Sequence, residues 1–215
     1  MPVSTMQRTT EPHAAGIRAQ EVARVIAPGT AAGVSFIGEL DGSMVPVVEP
    51  SPEAADQRQG KCLSWKEVRL NLVHPKGSVT PVFGGNFAGG VEESGRQWGR
   101  CAAKAGFGPG SQLHAVGDGA PWIANQVDLH FGTQGSYLVD FFHVCEYLGA
   151  AAPVCAPDHP QAWLDVQKER LKANQAPAVL DALAPFVSAH EDDPVTACDR
   201  YLHHRLDQLD DQGAI

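Results

Sequence analysis

Apolar and polar positions alternate most clearly over residues 64–74 (SWKEVRLNLVH). Val68, Leu70 and Leu72 fall on one side there, and Lys66, Arg69 and Asn71 largely on the other. A period of two is that of a half-buried antiparallel strand. The apolar run 34–40 (VSFIGEL) predicts a strand entering a turn at Asp41-Gly42, with a second short strand over Met44–Val48. Residues 49–61 are polar and Pro-rich, which predicts a loop. Pro75-Lys76-Gly77-Ser78 is turn chemistry, so Val79–Phe83 is expected to pair back as the next strand. Two further strands are expected over 112–118 and 136–142, with Asp140 at the end of the second.

The remaining segments carry helical spacing. Residues 14–27 place Ile17, Val22 and Ile26 near one another and stop at Pro28-Gly29. Helices are predicted over 92–106, over 121–131 with Pro121 in the first turn, and over 143–151. Beyond Pro160 the pattern is almost wholly helical, over 161–174, 176–190 and 194–209. A meander of strands followed by strand–helix alternation predicts an α/β fold, a mixed sheet with helices on its faces. The expected organisation is a short helical segment over 1–33, the sheet-bearing core over 34–156, and a helical C-terminal part over 157–215.

Composition agrees with a globular chain. Of 215 residues, 43% are hydrophobic and 19% charged, with 22 Gly and 16 Pro, more of both than average. The net charge of -9 argues at first sight against a nucleic-acid partner. Its distribution is uneven, however. Residues 1–107 hold 11 Lys and Arg against 10 Asp and Glu, whereas residues 108–215 hold 5 against 15. An acidic half is either a solvated helical surface or a carboxylate site for divalent cations. The 5 cysteines are odd in number and form no C-x-x-C pair. The first 30 residues lack a signal peptide's apolar segment, and no stretch has the length of a membrane span. The expectation is a cytoplasmic protein with free thiols and no membrane partner.

Three aspartates recur in one setting. Asp41 and Asp118 each end an apolar strand and precede a glycine, and Asp140 ends a third. Ligands of open α/β sheets gather outside the carboxyl ends of strands. Carboxylates brought together there repel unless they share a proton or a cation, and Mg²⁺ takes hard oxygen ligands. The bland alternative for each Asp-Gly is a hairpin turn.

The wording around these aspartates is distinctive. GDGAPWIANQ (117–126) resembles the second-aspartate segment of the ISKra-type bacterial insertion-sequence transposases, and YLVDFFHVCEYLGAAA (137–152) resembles their segment with an aspartate, an aromatic pair and a histidine. GELDGSMVPVV (38–48) looks like their first-aspartate strand, and KCLSWKEVRLNLVH (61–74) like the next strand. The resemblance spans roughly residues 33–210. It implies an RNase H-like catalytic domain with a helical insertion, in which Asp41 and Asp118 are catalytic metal ligands. Asp140 and His143 match an accessory D-x-x-H element. The cofactor implied is Mg²⁺ or Mn²⁺. The partner is DNA, both transposon ends and target, with self-association on DNA and no small-molecule substrate. The chemistry implied is hydrolysis at the transposon ends followed by joining of the 3′-OH to target DNA.

The chain departs from that pattern in one respect. Family members carry a catalytic Glu in a Gly-Ser-Gly-rich segment after the helical insertion, and this chain reaches DDQGAI without one. Glu146 lies too close to Asp140. Glu191, Asp192 and Asp193 fall in an inter-helix turn, and Asp210 and Asp211 in an expected frayed terminus. A truncated, catalytically impaired transposase is therefore expected. A non-catalytic DNA-binding or regulatory remnant, or another RNase H-like nuclease, are the alternatives. Of the remaining motifs, His143, Cys145, Cys155 and His159 lack a zinc knuckle's spacing. GGNFAGG (84–90) lacks the Lys and Ser/Thr of a P-loop and is expected to be a strand-to-helix loop. Trp122, four residues after Asp118, could stack on a DNA base or simply pack.

Overall fold

A computed structural model describes residues 5–29, 33–51, 53 and 60–209. Among these, five strands form one mixed sheet: β1 (Ser35–Pro50), β2 (Lys61–Pro75), β3 (Val82–Phe87), β4 (Gln112–Gly117) and β5 (Gly135–Val139). Their order is β3-β2-β1-β4-β5. β1, β2 and β3 are antiparallel, while β4 runs parallel to β1 and β5 parallel to β4. The helices are α1 (Thr5–Ala23), α2 (Val91–Ala105), α3 (Pro121–Phe131), α4 (Phe141–Cys155), α5 (Pro160–Lys172), α6 (Ala176–Leu183) and α7 (Pro194–His203). α2 and α3 are the crossovers that return the chain to the parallel strands. The class is α/β, a mixed sheet flanked by helices.

Two apolar clusters hold this arrangement. Alternate residues of the strands, Phe36 and Leu40, Val73, and Leu113 and Ala115, turn to one face and pack against α2 and α3. Trp98 is fully buried there. Its indole N–H donates to the Leu72 carbonyl at 3.3 Å, and Phe131 meets it edge-on with centroids 5.4 Å apart. Truncating such a side chain to Ala typically costs about 3–5 kcal/mol. The second cluster joins Val139, at the end of β5, to Leu148 of α4, Val179 and Leu183 of α6, and Cys198 and Leu202 of α7. The C-terminal helices thus have their own core, anchored to the edge of the sheet.

Several expectations are corrected. Asp41-Gly42 is not a hairpin turn. β1 runs through it unbroken, with Asp41 opposite Leu70 and Gly42 opposite Arg69. Gly42 does not adopt the left-handed conformation such a turn needs, whereas Gly77 in the β2–β3 connection does, at φ 82°. β2 offers a partner along the whole length, so nothing forces the chain to turn. β3 begins at Val82 rather than Val79, and absorbs part of the glycine run expected to be loop. The reason is close packing: a Cβ on Gly84 would lie 2.7 Å from both Asn71 Oδ1 and Cys101 Sγ.

The strand expected over 136–142 ends at Val139, and α4 starts at Phe141 rather than His143, because Asp140 caps it. α1 covers Thr5–Ala23 instead of 14–27. The helix expected over 176–190 ends at Leu183 and passes into a 3₁₀ turn containing Pro185, since proline cannot continue an α-helix hydrogen-bond ladder. The helix expected over 194–209 stops at His203, with a 3₁₀ turn over Leu206–Gln208. Asp210 and Asp211 lie outside the described residues.

Candidate active site

The parallel ladders bring the three aspartates into one row. β1 and β4 pair from Ser35 with Gln112 to Glu39 with Val116, and the same register carried on sets Asp41 beside Asp118. β4 and β5 pair from Leu113 with Gly135 to Gly117 with Val139, so Asp118 comes beside Asp140. The Asp140 N–H donates to the Gly117 carbonyl at 2.7 Å, which extends that ladder by one bond. Neighbouring strands are about 4.8 Å apart, so the three aspartates form a row across adjacent parallel strands, Asp118 and Asp140 just past the ends of β4 and β5 and Asp41 within the longer β1. They line one open cleft of about 550 Å³, together with Glu39, Phe142 and His143.

Local hydrogen bonds orient each carboxylate. Asp41 Oδ1 accepts from the Gly42 N–H at 2.7 Å. Asp118 Oδ1 accepts from the Ala120 N–H at 2.8 Å, and Asp140 Oδ1 from the Phe142 N–H at 3.0 Å, the N-cap bond of α4. Each aspartate is thus fixed through one oxygen by a main-chain donor. Asp118-Gly119 is no hairpin turn, since β4 leads into α3, and the Asp140 bond also caps α4.

The Asp118–Gly119 turn is gripped on further sides. Gly119 has φ 84°. Its N–H donates to the Tyr137 phenolic oxygen at 2.9 Å, and its carbonyl accepts from Arg205 Nε at 2.8 Å. The Asp118 carbonyl accepts from the Tyr201 hydroxyl at 2.7 Å. Burial pushes the Tyr137 phenol up to about 12 and raises Tyr201 further.

His143 also lines the cleft. Its ring stands edge-on to Tyr147 and Tyr201, with centroids 5.5 and 5.6 Å away. Its Nδ1 is 3.4 Å from Glu146 Oε2. Phe142, 75% exposed, stands at the same opening. Cys155 and Cys198 are packed in the helical cluster, and Cys145 is half-buried. The Trp122 ring is covered by the Arg69 guanidinium, 5.3 Å from its centroid.

Glu39, Tyr137, Tyr201 and Arg205 were not among the residues expected at the site. Glu39 could have been found, because it lies two positions before Asp41 on a strand and so shares its face. Nothing in the local pattern of YLHHRL points to a loop some 80 residues upstream in the chain.

No protein-family model and no curated protein matches this chain. Among the described residues, no helix is long and apolar enough to cross a membrane.

Proposed function

We propose that this chain carries an RNase H-like core that cuts and joins DNA with the help of divalent metal, in the manner of the ISKra-type transposases its GDGAPW and DFFH segments resemble. The observation that carries the reading is the row of Asp41, Asp118 and Asp140 at one cleft. The sheet order, three antiparallel strands followed by two parallel ones, is compatible with that fold.

Carboxylate oxygens suit Mg²⁺ or Mn²⁺. Mg²⁺ commonly takes one or two carboxylates and completes its shell with water and substrate phosphate. Among the described residues no three His, Cys, Asp or Glu side chains lie close enough to hold one ion, so Asp41 and Asp118 would hold it as a pair, with phosphate oxygens completing the set. Bound there, the metal supplies charge neutralisation at the phosphodiester and activation of the attacking oxygen. Asp41 and Asp118 would bind it, Asp140 aligns the start of α4, and Glu39 adds a further carboxylate to the wall. His143, held edge-on against Tyr147 and Tyr201 at the same cleft, would contact the DNA.

A second reading is a remnant that binds DNA without cutting it. One experiment separates the two. A supercoiled plasmid carrying the DNA that flanks the coding sequence is incubated with the protein and Mn²⁺ or Mg²⁺. Nicking and joining to target DNA, abolished by EDTA and by Asp41→Ala, is the expected result. Binding without nicking would sink the catalytic reading. Cleavage of RNA–DNA hybrids without joining would identify a different nuclease.

A further inference from the structure

β4 ends at Gly117, so Asp118 leaves the sheet just where its carboxylate must be held still. The ladder of the sheet gives the Asp118–Gly119 peptide no further partners, and the clamps come mainly from a distant part of the chain. Tyr201 belongs to α7, and Arg205 follows it. The Tyr201 hydroxyl binds the Asp118 carbonyl and Arg205 Nε the Gly119 carbonyl. Arg205 is itself held, since Nη1 donates to the Tyr201 carbonyl at 3.1 Å and its guanidinium lies 4.1 Å from the Tyr201 ring centroid. Tyr201 stacks on Tyr147 of α4 at 4.2 Å. The turn leaves no room for adjustment: a Cβ on Gly119 would lie 2.7 Å from the Tyr201 hydroxyl and collide with Arg205 Nε.

We propose that Tyr201 and Arg205 are positioning residues for Asp118, through which the C-terminal helical unit sets the conformation of the Asp118–Gly119 turn and the carboxylate it presents to the cleft. The consequence for metal rests on the reading of Asp118 as a ligand given above, whereas the positioning does not. Removing the Tyr201 hydroxyl frees one side of the turn. The Asp118 carboxylate then samples orientations in which the Ala120 N–H bond is lost.

The test uses the full chain, ¹⁵N-labelled, with Tyr201→Phe, which keeps the stacking ring, and Arg205→Lys, which keeps the charge but loses the guanidinium fork. The Gly119 and Ala120 amide signals and a Mn²⁺ titration followed by paramagnetic broadening are the readouts. Expected is a folded Tyr201→Phe protein in which both amides shift, with Mn²⁺ affinity about tenfold weaker. Arg205→Lys gives the same pattern and stands in if Tyr201→Phe fails to fold. Unchanged amides in a folded variant overturn the proposal. Asp41→Asn is the control: it should abolish Mn²⁺ broadening while leaving the Ala120 amide in place. If Asp41→Asn leaves the Mn²⁺ titration untouched, the metal reading fails, and the amide signals alone then decide the positioning.

Discussion

The hydroxyl of Tyr201 donates to the main-chain carbonyl of Asp118 across 2.7 Å, joining two residues 83 positions apart. This bond and the Arg205–Gly119 bond tie the helical cluster to the end of the central parallel strand. They make the helical unit part of the site's construction rather than an appendage to it. A sheet with parallel strands delivers side chains to its carboxyl edge, but what happens one residue past the edge depends on what covers the loop.

Gly119 is where that covering is tightest. A left-handed φ of 84° strains any L-residue, by roughly 1–3 kcal/mol for non-glycine residues in sparsely populated regions. The added methyl also displaces Arg205. Gly119→Ala is therefore expected to lower unfolding stability by about 2–3 kcal/mol in urea titration, with the loss concentrated in the contact between the turn and α7. A loss below about 0.5 kcal/mol would mean the turn relaxes freely.

The cap and the charge of Asp140 can be separated by substitution. As N-cap of α4 it accepts the Phe142 N–H, and losing such a cap to Ala costs about 1 kcal/mol. Asn caps nearly as well as Asp but carries no charge. Asp140→Ala should thus reduce both thermal stability and any metal-dependent nicking, while Asp140→Asn should reduce nicking alone. Equal stability losses in both variants would show that the charge, not the cap, stabilises the helix end.

Asp41 caps no helix. It is exposed, and among the described residues its side chain bonds to the amide of its own neighbour. Surface changes of this kind usually fall within about 0.5 kcal/mol. Asp41→Ala is expected to melt with the wild type yet lose Mn²⁺ binding. A variant that keeps Mn²⁺ affinity would remove Asp41 from the ligand set.

How far the fold was legible depended on whether the signal was local. α3 was read at its observed bounds, Pro121–Phe131, from Pro121 in its first turn. The core of β2 was legible from alternation. Some boundaries moved for local reasons, the Asp140 cap at α4 and Pro185 after α6, and others where a local signal met a tertiary partner. Asp41-Gly42 has the composition of a turn, but β2 runs alongside it and keeps it extended. Gly84 and Gly85 look like loop, but they let β3 approach Asn71, Cys101 and Leu70. Asp118 and Asp140 could be named from their strand-end setting, whereas Asp41 lies within β1. Their common row needed the register of two parallel ladders, which no spacing in the chain encodes. Tyr201 and Arg205 were invisible for the same reason.

Alkaline pH should weaken the fold, and the helical cluster should be the first to report it. Cys198 is fully buried, and burial pushes its thiol from 9.0 up to about 12. Tyr137 is likewise pushed from 10.0 to about 12 by burial. Below pH 9 the Cys198 thiol is protonated in both folded and unfolded chains, and its contribution is fully present. Between pH 9 and 12 the unfolded chain releases that proton and the folded chain keeps it. The unfolded state then binds fewer protons, so stability falls as pH rises, by about 1.4 kcal/mol per unit for each such group. Urea unfolding at pH 7.5, 9 and 10.5 should show little change over the first interval and a steep loss over the second. Cys198→Ala should cost about 1 kcal/mol at pH 7.5 through lost packing and flatten the alkaline slope by close to one proton. An unchanged slope in that variant would place the alkaline sensitivity in the tyrosines or the other thiols raised by burial, Cys101, Cys145 and Cys155.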